Sequence, residues 1–357
     1  MDWYYWASIG ATILIFGLII VFHELGHFLT AKAFRMRIHE FSVGFGRPIL
    51  WRSRRGDTDY SWRAVPLGGF VRIAGMEQGE DVPDGFDKQS IPRRSAVIFS
   101  GSFMNFVLAA LLFWVVGITY GKTVGVTNRI ERVLSGTPAA KAGLRVDDRI
   151  VEVAGKRGDV EALREQIQNR PGKRVHIVIA RRGREVKVSL VALVKDALDE
   201  TKSGVLKPAK VGAIGIVFAT KRVPMGFFES LKMGVLTTYY KTALMIRVLL
   251  ATVGGDLPLQ VGGPVRIVHE MVEAANVGWV NFLALSAFLS LNIGFINLLP
   301  FPALDGSRLM FLGIEAARRR PVDPRKEALV HLVGFAILIL VIMLVVYQDI
   351  LYLVRKQ

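Results

Sequence analysis

A chain of 357 residues that is 52% hydrophobic, with a mean hydropathy of +0.38, is too apolar for a purely water-soluble protein, yet leaves room for a soluble domain of about 100 residues. It contains no cysteine, which excludes disulfides and thiolate metal ligands. Its formal net charge of +16 is spread over the flanks of apolar segments and the polar middle, a distribution that favours anionic lipid and membrane topology over nucleic acid as the explanation.

The N-terminus, Met1-Asp2-Trp3-Tyr4-Tyr5-Trp6, lacks the basic stretch and small-residue cleavage site of a signal peptide and reads as an interfacial aromatic anchor before a retained helix. The first apolar segment, about Trp6 to Lys32, is long enough to span a bilayer. Its second half contains His23-Glu24-Leu25-Gly26-His27. Histidines four apart share one face of a helix, so both rings can reach one ion. Glu24 lies close enough to act on a water there. This is the H-E-x-x-H pattern, in which the histidines hold Zn²⁺ and the glutamate is the general base of a peptidase. Ionisable groups are costly in an apolar segment, so such a cluster marks function rather than packing.

From Arg35 to Arg94 the chain is polar, with short alternating runs at Phe41 to Gly46, Ile49 to Arg52, Tyr60 to Val65 and Phe70 to Ile73. These read as strands, two of them joined by a turn at Arg55-Gly56-Asp57. A small sheet beside the metal helix would offer an edge to an extended peptide; an ordinary loop is the plain alternative. Glu77 to Asp87 is acidic, glycine-rich and expected to be mobile. A second span, Ala96 to Tyr120, carries Asn105, either as an interhelical hydrogen-bond partner or facing the metal site.

Lys122 to about Ile216 is charged and soluble in character. A strand is expected at Val151 to Val153, an amphipathic helix at Asp159 to Gln168, and strands at Arg174 to Ala180 and Glu185 to Val191. This order and the run Pro138-Ala-Ala-Lys-Ala-Gly-Leu144-Arg-Val-Asp-Asp-Arg-Ile150 resemble a circularly permuted bacterial PDZ domain. Met225 to Val253 is apolar but carries Glu229, Lys232, Lys241 and Arg247, and reads as an amphipathic helix or helix pair on the membrane surface. The segment Val261 to Val265 leads to another helix, Arg266 to Ala275.

A third span, Val277 to Leu299, carries Asn292 and Asn297 and runs into Pro300-Phe301-Pro302-Ala303-Leu304-Asp305-Gly306. Two prolines spaced by one residue stop the helix. Irregular backbone at membrane depth is tolerated only against protein or a water cavity, which makes Asp305 a candidate ligand. A fourth span covers about Leu332 to Leu353. Lys32 to Arg63 and Arg308 to Lys326 are strongly basic, placing both regions in the cytoplasm and the N-terminus and soluble insert outside. If His23, His27 and Asp305 share an ion, the first and third spans run parallel, so four spans is the consistent count.

H-E-L-G-H in the first span, Gly44-Phe45-Gly46, the PDZ-like insert and Asn297-Leu-Leu-Pro-Phe-Pro-Ala-Leu-Asp-Gly306 together resemble the bacterial site-2 proteases, intramembrane zinc metalloproteases. The resemblance implies Zn²⁺ held by His23, His27 and Asp305, Glu24 as catalytic base, and Gly44, Phe45, Gly46, Asn105 and Asn297 at the substrate. Where the family often has a Gly-Pro pair before the second-span asparagine, this chain has Gly101-Ser102-Phe103-Met104-Asn105.

The expected architecture is therefore a multi-pass α-helical membrane protein with four transmembrane helices, a small membrane-associated β-sheet and one inserted α/β PDZ domain. Its divisions are 1–34 (first span), 35–95 (β region), 96–120 (second span), 121–218 (PDZ), 219–276 (surface helices), 277–306 (third span), 307–331 (cytoplasmic loop) and 332–354 (fourth span). The resemblance implies a bacterial inner-membrane protein cleaving transmembrane segments of single-span proteins, such as anti-sigma factors or remnant signal peptides, after an upstream site-1 protease. No nucleic-acid partner is expected. A membrane-anchored peptidase for soluble chains and a non-catalytic PDZ scaffold are the rival readings.

Overall fold

The computed structural model describes residues 3–76, 80, 82–134, 136–200, 206–257 and 262–356. Met1 and Asp2 of the aromatic N-terminus, Glu77, Gln78, Gly79 and Asp81 of the acidic stretch, and Val261 lie outside the described residues.

In chain order the elements are α1 (Trp3–Ala33), β1 (Ile38–Arg55), β2 (Thr58–Ile73), α2 (Ile91–Tyr120), β3 (Lys122–Val133), α3 (Pro138–Lys141), β4 (Arg149–Val153), β5 (Lys156–Arg157), α4 (Val160–Gln168) and β6 (Arg174–Arg181). They continue with β7 (Arg184–Val191), β8 (Leu193–Glu200), β9 (Leu206–Ala213), β10 (Ile216–Val223), α5 (Phe227–Val253), α6 (Pro264–Val277), α7 (Trp279–Asn297), α8 (Asp305–Arg318) and α9 (Pro324–Lys356). The chain divides into two compact units: Met1–Gly117, Phe227–Thr242 and Gln260–Gln357 form the first, Ile118–Gly226 and Ala243–Leu259 the second.

Four helices among the described residues are long and apolar enough to cross a membrane: Tyr5–Ala33, Ile91–Tyr120, Trp279–Asn297 and Arg325–Leu351. The last exposes Leu332, Val333, Phe335 and Leu340, each more than half accessible. Such a surface is untenable in water but costs nothing against lipid tails. Met225 to Val253 contains a single helix, α5, rather than a pair.

The first unit is built on α1. Its end is a left-handed cap: Arg35 has φ 57°, and the Met36 N–H donates to the Ala31 carbonyl. β1 and β2 pair antiparallel, and each joins two of the four expected runs. Phe41 pairs with both Val71 and Tyr60, and Trp62 with both Val43 and Trp51, so each long strand bends to give its partner a neighbour on either side, with register shifts from Ile38 to Trp51. β2 packs on α1, where Gly17 meets the Pro66 carbonyl so closely that no side chain would fit. Gly26 makes the same kind of approach to the Ser100 carbonyl of α2.

The stretch 307–331, expected as a loop, is instead largely helical. α8 runs on from Asp305 until Arg319 turns left-handed at φ 53°, and α9 begins at Pro324, with Asp323 accepting the Arg325 N–H. Arg308, Arg318, Arg319 and Arg320 give the stretch a loop-like composition, while Leu309 and Leu312, three apart, fall on one side of the helix and Leu312 is buried.

In the second unit, β10-β3-β4-β6-β7 form one sheet with β5 on β4, and β8 and β9 form a separate hairpin. The core holds Ile130, Ile150, Val153, Leu163, Ile177 and Ile179. Asp159 caps α4 by accepting the Ala162 N–H. The expected strands and helix between Val151 and Val191 fall on β4, α4, β6 and β7; β3, α3, β5, β8, β9 and β10 are additions. Asp148, 2% exposed, accepts hydrogen bonds from the Arg181 guanidinium at 2.8 and 2.7 Å and from the Arg145 N–H. Burial pushes the Asp148 carboxyl up, but these donors outweigh it and hold the group below the usual carboxylate range.

Candidate metal centre

His23 and His27 occupy successive turns of α1, and Asp305 is the first residue of α8. The proline break brings the carboxylate to the rings. Gly306 lies against the carbonyls of Leu298 and Leu299, with no room for a Cβ, and Ala303 takes the left-handed conformation at φ 76°. Ser307 closes the turn by donating its hydroxyl to the Leu304 carbonyl.

The three ligand-type atoms converge. Nε2 of His23 and Oδ2 of Asp305 are 3.0 Å apart, Nε2 of His27 and the same oxygen 3.3 Å, and the two Nε2 atoms 3.2 Å. Zinc bond lengths of about 2.0–2.2 Å in a tetrahedron set ligand separations of about 3.4 Å, so the triangle matches a zinc donor set with one position left open.

The atoms behind the rings agree. His27 Nδ1 lies 2.8 Å from the Val97 carbonyl oxygen, which fixes the proton on Nδ1 and leaves Nε2 as the donor atom to a metal. His23 Nδ1 faces the side-chain amide of Asn105 at 3.3 Å, while Asn105 Oδ1 is buried without a hydrogen-bond partner. Turning the amide over presents that orphaned oxygen to a protonated Nδ1, the tautomer a metal on Nε2 requires. The residues present thus fit zinc.

Glu24 accepts the Val71 N–H of β2 at Oε2, 3.1 Å away. His23, Glu24, His27 and Asp305 share a cavity of about 290 Å³ with Val71, Arg72, Ile73, Met76, Ile98, Ala303, Leu304, Arg308 and His331. Of the sequence candidates, Asn105 sits behind His23 and outside the cavity lining. Gly44, Phe45, Gly46 and Asn297 do not line it either. Gly44 is pressed against the carbonyls of Arg63 and Val65, and Asn297 is the last residue of α7. The strand that reaches the cavity is β2. Arg308 was findable, three residues after Asp305 on the same helical face; His331 announced itself only as a histidine near the start of an apolar helix.

A histidine-histidine-carboxylate group that fits zinc, with a glutamate beside it and three of the four side chains on a helix long and apolar enough to cross a membrane, is the pattern of a membrane-embedded zinc peptidase. The model of Peptidase family M50 matches residues 11–341, and the chain belongs to that family, the site-2 proteases. The zinc metalloprotease RasP of Oceanobacillus iheyensis is 29% identical, covering 96% of this chain and 98% of that one. RasP of Geobacillus kaustophilus is also 29% identical, over 96% and 97% of the two chains. A Fusobacterium nucleatum protein named as a zinc metalloprotease is 34% identical, over 95% and 97%. Among solved structures, the PDZ domain of an SdrC-like protein from Listeria monocytogenes is 19% identical over 27% of this chain and 92% of that one, at a TM-score of 0.19. The protein is an intramembrane zinc metalloprotease of a multi-pass membrane type.

Proposed function

We propose that the protein cleaves transmembrane segments of single-span membrane proteins, with His23, His27 and Asp305 as zinc ligands and Glu24 as general base. The convergence of those four side chains in one cavity among apolar helices carries the reading. Zinc held there supplies Lewis acidity, polarising the scissile carbonyl and making a water acidic enough to lose a proton near neutral pH. Glu24, oriented by the Val71 N–H, takes that proton and delivers it to the departing amine. Val97 and Asn105 hold the imidazoles, so the donor geometry does not need to reorganise.

A transmembrane helix hides its own peptide bonds, so the substrate unwinds locally and its freed backbone groups need partners. Pairing with the sheet edge beside the cavity, where Val71 to Ile73 form the wall, supplies them. Gly44, Phe45 and Gly46, next to the exposed Ile49, Leu50 and Trp51, form the apolar approach to that edge, and Asn297 contacts substrate at the end of α7. The second unit acts as an extracytoplasmic PDZ domain that turns away substrates with bulky ectodomains until another protease has trimmed them. In this reading the enzyme sits in the bacterial inner membrane, with its active site toward the cytoplasm, and anti-sigma factors or remnant signal peptides are its substrates.

Glu24→Gln is the test. Cleavage of a model transmembrane substrate is expected to fall below detection while zinc stays bound; retained turnover removes Glu24 as the base. Faster turnover of casein than of the transmembrane substrate by the unaltered enzyme would instead favour a peptidase for soluble chains.

A further inference from the structure

The metal cavity has a wall that no motif marks. His331, on α9, lines it beside Arg308. Two contacts on one face of α9 fix where the ring stands. The Ala303 N–H donates to His331 Nδ1 at 3.2 Å, and Gly334, three residues on, is packed against Pro302 so tightly that a Cβ would collide with the proline ring. The last span therefore clamps the proline break that delivers Asp305.

The Ala303 bond also settles the tautomer. An Nδ1 that accepts is unprotonated, so the neutral ring carries its proton on Nε2. That Nε2 is buried and has no hydrogen-bond partner. The Glu327 carboxylate, one turn earlier on α9, is 3.8 Å away and beyond hydrogen-bond reach. Phe311 covers part of the ring, at 5.9 Å between centroids. A buried donor left unmatched is destabilising. Holding Ala303 needs only Nδ1, so that role does not account for the idle Nε2–H on a ring that lines the cavity.

We propose that His331 contacts substrate: a small turn of the ring uncovers Nε2–H, which then donates to a backbone carbonyl oxygen of the peptide bound in the metal cavity. The inference rests on the reading that this cavity is the proteolytic site. An unwound transmembrane segment brings to the cavity carbonyls that have lost their helical partners. A neutral donor on a residue of the cavity wall matches that need, and the bond strengthens where negative charge develops on the oxygen.

The two ring nitrogens can be separated by substitution. In His331→Asn the side-chain oxygen replaces Nδ1 as acceptor for Ala303 but nothing replaces Nε2–H; in His331→Gln the amide N–H₂ reaches the Nε2 position. Both full-length variants would be purified in nanodiscs and assayed for zinc content, for affinity toward a model transmembrane peptide and for kcat/KM on it. The expected result is full zinc in His331→Asn with kcat/KM lowered at least about tenfold, and substantially retained kcat/KM in His331→Gln. Unchanged turnover in His331→Asn overturns the proposal. So does parallel loss of zinc and activity in both variants, which would mean that the ring only braces the Asp305 loop. Glu24→Gln, assayed alongside, tests the proteolytic reading separately: cleavage that survives it defeats that reading whatever the His331 variants do.

Discussion

Gly101 of α2 lies directly beneath the His27 imidazole, so close that a Cβ there would overlap the ring at Nε2 and crowd Cε1 of His23. The absence of a side chain at this position is what allows α2 to back both rings. Gly101→Ala is expected to displace them, lowering zinc affinity by about 10- to 100-fold, as loss of a supporting contact does in other metal sites. Metal analysis of the purified variant, dialysed against graded free zinc, checks this; full retention of zinc would show that the helices yield instead.

Asn105 offers a sharper separation of roles. If its oxygen holds the His23 Nδ1–H, Asn105→Asp keeps an acceptor in place and retains zinc, whereas Asn105→Ala loses about tenfold or more in zinc affinity. A residue that contacted substrate would show the reverse, intact zinc with a raised KM in Asn105→Ala.

Removing the metal, or the carboxylate that completes its donor set, must stop the chemistry. Chelation is expected to abolish cleavage and added Zn²⁺ to restore it. Asp305→Asn supplies a neutral and weaker donor, so its zinc content after dialysis should fall at least about tenfold below that of the unaltered chain. Activity that persists in the metal-free protein would contradict the assignment.

The second unit carries an acid-sensitive link. Asp148 is held below the usual carboxylate range, so its pairing with Arg181 contributes fully above about pH 4 and is lost as the pH falls through the depressed value. Because the Arg181 side chain is 26% exposed, the loss on Asp148→Ala is closer to about 2 kcal/mol than to the larger values of fully buried pairs. Protection of the β4 and β6 amides against hydrogen exchange, relative to their intrinsic rates at each pH, should fall as the pH drops below 4 in the unaltered chain, and should already be low at pH 7 in the variant.

The sequence made the metal centre legible where chemistry is local. His23, Glu24 and His27 lie within five residues, and their spacing alone places them on one helical face. Asp305 was legible from the proline break and from family resemblance, although 278 positions separate it from His27. What stayed hidden depends on contacts between distant segments. Val71 meets Glu24 through a backbone N–H, which no residue type reveals. Gly44 to Gly46 stood out for their glycines, yet Gly44 answers to a close approach within the sheet, against the carbonyls of Arg63 and Val65, and Gly46 to a left-handed backbone at φ 76°, neither of them to the cavity. The four short β runs were visible, but their fusion into two long strands follows from a register that periodicity does not encode.

The clamp of His331 and Gly334 on the Pro302–Ala303 turn ties the machinery to α9. A ribosome-bound chain that has released its first crossing already displays the two histidines and the glutamate, but the carboxylate partner follows only at position 305 and the brace at 331 and 334. Order along the chain thus makes the donor set complete late: a fragment ending before Asp305 carries two of the three ligand-type side chains and is expected to hold zinc more weakly than the full chain.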